Sequence, residues 1–140
     1  MGPLLPKFKI LEHTADLKIQ AFGRDKKELF LNALYGMQSA LRPEIEEPSK
    51  ERKREIKVES LDLPSLLVDF LSEINYLNET QKEAYFKGKI KKLSDTFLEA
   101  EIFGKKVKNF GLVIKGVTFH DLKVEKREDG LWEAIVLFDI

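Results

Sequence analysis

Asp139 closes the apolar run Ala134, Ile135, Val136, Leu137, Phe138, and only Ile140 follows it. A strand ending in a carboxylate, beside the carboxylate at Ile140, brings two negative oxygen groups to one edge of a sheet, where they need a counter-charge if shielded from water. A second acidic cluster lies near the start, in Glu12, His13, Thr14, Ala15 and Asp16. If the two meet, Asp16 and Asp139 either repel each other or share a cation that neutralises both. Oxygen donors without thiols favour calcium, magnesium or manganese over structural zinc. The same short segment also reads as a capped loop, in which Asp16 accepts backbone N–H groups and His13 packs or faces solvent.

Lys115 stands inside the nearly continuous apolar strand pattern from Val113 to Phe119, with His120 at its end. Such a lysine usually snorkels to solvent. Held near Asp16 or Asp139, its amine would orient a carboxylate or engage a partner's phosphate. His120 reads equally as a second polar group of that site or as a hydrogen-bonded edge residue. The sequence has no nucleophile elbow, HExxH, P-loop or glycine-rich dinucleotide fingerprint, so enzyme chemistry by a familiar route is not expected. Lys89, Lys91, Lys92, Lys105, Lys106 and Lys108 are interspersed with acids and lack a stacking strip of aromatics, so they read as solvated strand faces rather than an RNA surface.

These groups must be positioned by the surrounding elements. Leu17, Ile19 and Ala21 alternate with Lys18, Gln20 and Phe22, the period of a half-buried strand, and Phe8 and Ile10 suggest a shorter strand before it. Asp25, with Glu28 three residues on, predicts a capped helix whose stripe is Leu29, Phe30, Ala33, Leu34, Met37 and Leu41. Gly36 would weaken that helix by about 1 kcal/mol if exposed. The span from Pro43 to Glu55 reads as the least ordered, with strand character resuming at Ile56 and Val58. Asp62 or Ser60 caps a second helix, Pro64 fits its first turn, and Leu66, Leu67, Phe70, Leu71, Ile74 and Leu77 form its apolar face.

Strand periods follow at Tyr85 to Ile90, Thr96 to Phe103, Leu112 to Phe119 and Leu131 to Phe138, with Asp129 and Gly130 as a hairpin signal before the last. Connections too short for crossover helices make these neighbours antiparallel. The expected fold is α+β: a two-layer sandwich in which a largely antiparallel sheet carries two principal helices on one face, in a single domain over residues 1–140.

With 140 residues and 43% hydrophobic content the chain is long enough for one continuous core. Its 24 basic and 24 acidic residues cancel, which argues against a broad nucleic-acid footprint. The absence of cysteine excludes disulfides, thiolate catalysis and sulfur-ligated metals within this chain. No stretch reaches transmembrane length and the first residues do not form a secretory core, so a cytoplasmic protein without a membrane partner is expected.

Taken together, EHTAD at 12 to 16, LPSLLVDFLSEINYL at 63 to 77, KGVTFH at 115 to 120 and LFDI at 137 to 140 resemble the archease family along nearly the whole chain. Gly116 and Phe119 stand where that family often has alanine and tyrosine. The resemblance implies an accessory protein that activates the RtcB-type RNA ligase of tRNA splicing, promoting formation of the ligase's histidine–GMP intermediate and multiple turnover. It implies a divalent-metal site at Asp16 and Asp139 with the carboxylate of Ile140 as a third donor, calcium among the candidate ions, and a functional Lys115 with His13 and His120 as neighbours. An alternative family role is a chaperone or modulator of a tRNA cytosine-5 methyltransferase. Direct tRNA contact and oligomeric state are left open by the sequence.

Overall fold

Two helices tie together two antiparallel sheets in the computed structural model, which describes residues 5–12 and 16–140. In chain order the elements are β1 (Phe8–Glu12), β2 (Asp16–Gly23), α1 (Lys26–Ala40), β3 (Pro43–Ile45), β4 (Arg52–Glu59), α2 (Leu63–Gln81), β5 (Glu83–Leu93), β6 (Phe97–Phe110), β7 (Gly116–Lys126) and β8 (Trp132–Asp139). The first sheet runs β1-β2-β8-β7 and the second is built around β6, with every pairing antiparallel. α1 packs on β2 and β5, and α2 on β7 and β4, so each helix touches both sheets. The α+β class, the two principal helices and the antiparallel strands are as the sequence pattern predicts.

Both helices start where a short acid can satisfy their first free N–H groups. Asp25 accepts from the Glu28 amide at 2.8 Å, and Asp62 accepts from the Ser65 amide at 2.8 Å. Glu28 reaches back to the Arg24 amide at 3.1 Å, closing the box one residue earlier than the usual motif. The apolar stripes of both helices are buried against the sheets, and the Phe30 and Phe70 rings meet between the helices at 5.9 Å. Gly36 is buried rather than exposed: a Cβ there would lie 2.9 Å from Ile19 Cγ2 and 3.1 Å from Phe8. Its role is close approach of α1 to β1 and β2, which offsets its poor helix propensity.

Two segments depart from the sequence reading. The span from Pro43 to Glu55 is strand at both ends, in β3 and at the start of β4, because β6 is long enough to pair β4 along Phe97 to Gly104 and then β3 along Val107 to Phe110. β7 starts at Gly116 rather than Leu112, because the preceding backbone is drawn onto the helices: the Gly111 and Leu112 amides donate to Leu41 O at 2.9 and 3.2 Å, and Asn75 Nδ2 donates to Ile114 O at 3.0 Å. The Asp129–Gly130 turn is as expected, with Gly130 at φ 89° and the Leu131 amide donating to Asp129 Oδ1 at 3.0 Å.

The lysine-rich strands carry cross-strand ion pairs, as the interspersed acids suggest. Lys53 and Lys91 both reach Glu101, at 2.8 and 3.2 Å, and Lys57 and Lys92 flank Glu99.

A buried polar network joins the helices to the second sheet. Gln38 of α1 and Asn78 of α2 exchange side-chain hydrogen bonds at 2.9 and 2.8 Å, and the Tyr85 amide donates to Gln38 Oε1 at 3.0 Å. Glu83, 2% exposed, accepts two bonds from the Arg54 guanidinium, each at 2.9 Å, and one from the Tyr85 hydroxyl at 2.7 Å. Burial alone would raise the Glu83 pKa, but the Arg54 and Tyr85 hydrogen bonds hold it below the usual carboxylate range. Burial, then the bond to Glu83, pushes the Tyr85 phenol well above its ordinary value.

Arg54→Ala would leave that carboxylate buried and unpaired, so it is expected to destabilise the fold by about 3 kcal/mol in urea denaturation. The sign of the pH dependence follows from the two shifts. Glu83 contributes stability that is present above its unfolded pKa of about 4.3 and is lost as pH falls through its lower folded value; Tyr85 contributes stability that is present below about pH 10 and is lost as pH rises further. Thermal melts across pH should therefore show a plateau that narrows on its alkaline side in wild type and not in Tyr85→Phe.

Candidate metal and partner site

The register of β2 on β8 places Asp16 directly opposite Asp139. Directly opposed residues of an antiparallel pair share a face, with Cβ atoms about 4.5–5.5 Å apart. On the other side of β8, Asp139 pairs with Gly116, and the Lys115 amide donates to Asp139 O at 2.7 Å. Asp16, Asp139 and Lys115 thus belong to three adjacent strand ends, with Ile140 next along the chain. Asp139 and Lys115 are exposed, Asp16 and Ile140 half-buried. Lys115 makes no ion pair among the described residues, so its amine is available to a ligand.

A cavity of about 370 Å³ opens beside this edge, between the end of α1 and the chain's last residue; Asp16, Leu17, Ser39, Arg42, Leu112 and Ile140 are among its lining. The last carbonyls of α1 point towards this end, so the helix dipole adds partial negative charge there and favours a cation. A larger cavity of about 780 Å³ lies at the opposite end of β2, by Phe22 and Gly23. Its acids, Asp25 and Glu28, are occupied in capping α1 and pairing Arg24. The smaller cavity has Asp16 as the side-chain carboxylate of its lining.

Among the described residues no group of three or more His, Cys, Asp or Glu is arranged to hold a metal. The donors at this edge are two side-chain carboxylates, which suit a hard divalent ion with open water positions. His120 lies apart from them. Its ring sits 3.4 Å from Asp121 Oδ2 and its amide donates to Thr118 Oγ1 at 3.3 Å. The pairing of β7 with β8 skips residues 119–122, and Asp121 has φ 53°, so Phe119, His120 and Asp121 project from a bulge next to the site. His13 lies outside the described residues. A Cβ on Gly116 would meet nothing within 4 Å, so this departure from the family pattern leaves the site's packing unchanged.

Three residues around the site were not legible as functional: Ser39, Arg42 and Asn75. Ser39 and Arg42 are brought in by the end of α1. Asn75 sits on the helix face among apolar neighbours, where only its buried bond to Ile114 O gives it a role. An asparagine within an apolar helical stripe is the one signal the sequence offered.

Comparison with known proteins places the chain among small archaeal and bacterial relatives. The Archease protein family matches residues 8–140. Protein archease of Methanosarcina acetivorans is 38% identical, with 96% of each chain covered, and that of Pyrococcus abyssi is 30% identical, covering 97% of this chain and 100% of its own. The solution structure of Methanobacterium thermoautotrophicum protein 1598 superposes with a TM-score of 0.69 at 31% identity, over 96% of this chain and 99% of that one. The crystal structure of an archease from Thermotoga maritima, described as a possible chaperone, shares the fold with a TM-score of 0.63 at 24% identity, over 94% and 96%.

Asn75→Leu would orphan the Ile114 carbonyl next to Lys115. A loss of about 1–3 kcal/mol is expected in urea denaturation, and amide exchange should rise at Lys115, whose N–H is held on Asp139.

Proposed function

The chain belongs to the archease family, and on that premise we propose that it is an accessory protein, not itself an enzyme, that activates an RtcB-type RNA ligase in tRNA splicing. It promotes guanylylation of the ligase and multiple turnover by presenting a divalent cation held at Asp16 and Asp139, with the carboxylate of Ile140 as a third donor. The observation that supports this most is the direct pairing of Asp16 with Asp139 at the ends of the two inner strands of the first sheet.

Two aspartates on adjacent strands provide oxygen donors for calcium, magnesium or manganese without enclosing the ion, which suits reversible presentation rather than permanent storage. A bound cation would supply charge neutralisation to phosphate oxygens. Asp16 and Asp139 would hold the ion, and the strand pairing sets them opposite each other before any partner arrives, so little ordering cost would fall on binding. Lys115, carried at the start of β7 by its amide bond to Asp139, offers an ammonium for docking or for a phosphate. His120 stands in the neighbouring bulge as a partner contact, and His13 as a neighbour in the same motif as Asp16.

A second reading is a chaperone of a tRNA cytosine-5 methyltransferase. It is favoured by the exposed apolar side chains of Val113 and Phe119, each 60% exposed on either side of Lys115. Native pull-down with the two enzymes separates these readings.

In a reconstituted ligation at limiting ligase, Asp16→Ala and Asp139→Ala should each remove stimulation of turnover while circular dichroism shows an unchanged fold. Full stimulation by both variants would reject the cation role. Lys115→Ala should lower stimulation with little change in melting temperature; equal loss of both would make Lys115 structural.

A further inference from the structure

The cavity of about 780 Å³ beside the start of α1 is left unused by the function proposed above. Asp16 and Gly23 close opposite ends of the eight-residue β2, so roughly 23 Å of strand separates this place from the paired aspartates. Its walls are apolar: Leu5, Leu31 and Leu131 line it together with the Phe22 and Tyr35 rings. Tyr35 is fixed there, because its hydroxyl accepts the Gly88 amide at 3.1 Å.

One buried polar side chain opens into this cavity. Asn32, 6% exposed, donates from Nδ2 to Phe22 O at 2.7 Å. A carbonyl only accepts, so the amide nitrogen faces Phe22 and Oδ1 faces the other way. Oδ1 takes no hydrogen bond among the described residues and is not sealed from solvent, and Asn32 lines the cavity, so this acceptor is presented to a ligand there. It is matched by an N–H or O–H donor.

The charges here differ in how far they are spent. Asp25 is committed to the Glu28 amide, and Glu28 to the Arg24 guanidinium at 3.0 and 2.9 Å. Glu133, opposite Phe22 on β8, is taken by Lys123 and Arg127, and Asp95 by Lys26. Lys7 and Lys27 also line the cavity, both exposed and without an ion pair among the described residues. Lys7 Nζ lies 5.7 Å over the Tyr35 ring, and Lys9 Nζ lies 5.9 Å over the Phe22 ring. With the positive end of the α1 dipole beside them, the unspent charge is cationic.

A fitting ligand carries an aliphatic group for the leucines, a donor for Asn32 Oδ1 and negative charge for the lysines. An ionised fatty acid supplies no donor, and an inorganic anion no apolar group. Single-stranded RNA stacks its bases on aromatic platforms, whereas three leucines suit an aliphatic side chain. A polypeptide supplies all three features. We infer that this cavity is a docking groove for an extended acidic segment of a partner protein. A leucine-sized side chain sits among Leu5, Leu31 and Leu131, its backbone N–H meets Asn32 Oδ1, and flanking acids face Lys7 and Lys27.

The test is fluorescence anisotropy of the full chain with a labelled peptide in which one leucine is flanked on each side by two acidic residues. Three further probes are a copy with glycine for leucine, a copy methylated on the leucine nitrogen, and hexauridylate RNA. The leucine peptide should bind saturably and shift the amide resonances of Leu31, Asn32 and Tyr35. The glycine and methylated copies should each bind about tenfold more weakly. The methylated copy examines the Asn32 acceptor in the wild-type chain, without cutting the bond from Nδ2 to Phe22. Lys7→Glu combined with Lys27→Glu should weaken the leucine peptide by about tenfold or more at an unchanged melting temperature, since neither lysine holds an ion pair.

No saturable binding, or equal binding by the double variant, overturns the groove. Binding that depends on the lysines but ignores both leucine and methylation is bulk charge attraction and overturns it too. Tighter binding of the RNA at the same amides would make the cavity a nucleic-acid site instead of a peptide groove. None of these outcomes bears on the cation reading, which concerns the other end of β2.

Discussion

The pairing of β2 with β8 is the constraint on which the rest of the molecule depends. Leu17, Ile19 and Ala21 face the helices together with Phe138, Val136 and Ala134, and all six are buried. A slip of one residue would turn both apolar sets away from the helices, so the core itself enforces the register. Asp16 and Asp139 are the next residues along each strand. Their opposition is thus a by-product of hydrophobic burial: the core supplies the free energy that holds two like charges side by side, and no local attraction between them is needed.

The helices extend this control to the third strand end. Leu41 O at the end of α1 accepts the Gly111 and Leu112 amides, and Asn75 of α2 holds the Ile114 carbonyl, so the chain reaches Lys115 already fastened at both helices. From there the Lys115 amide closes onto Asp139. The irregular run before β7 is therefore anchored on the helices before Lys115 bonds to Asp139 of β8. It satisfies its backbone groups on helix ends and a side-chain amide, which is why an apolar pattern from Leu112 to Phe119 gave a strand signal too early.

What the sequence made legible follows the same logic. The helix caps, the two apolar stripes, the β2 alternation and the turn at Gly130 are local signals, readable because residue type and spacing act within one element. The meeting of the two acidic motifs was legible only as a condition, since nothing in either segment states its partner; family resemblance named the pair and the register supplied the geometry. β3 escaped notice because its pairing depends on the length of a distant strand, β6, and not on its own composition. Arg42 escaped for a similar reason, since its backbone conformation and its seat on Gly111 are tertiary. Gly36 was legible only for its helix propensity, which counts where the residue is exposed; it is buried, and what counts there is the contact with Ile19 and Phe8, which no helix propensity contains.

Stability and chemistry are kept at different places in this fold. The buried network of Gln38, Asn78, Glu83, Tyr85 and Arg54 ties both helices to the second sheet, and its groups are satisfied by one another, which leaves none of them for a ligand. Lys53 and Lys57 of β4 and Lys91 and Lys92 of β5 likewise spend their charges on Glu101 and Glu99 of β6. At the far edge the arrangement is reversed. Lys115 and Arg42 are held through backbone bonds or by one hydrogen bond each, and their charges stay unpaired among the described residues. Backbone anchoring fixes where a side chain starts without consuming its head group, so these cations are positioned and still available. A site built this way loses little folding free energy when its side chains are changed, because the groups that meet a ligand are not the groups that hold the strands.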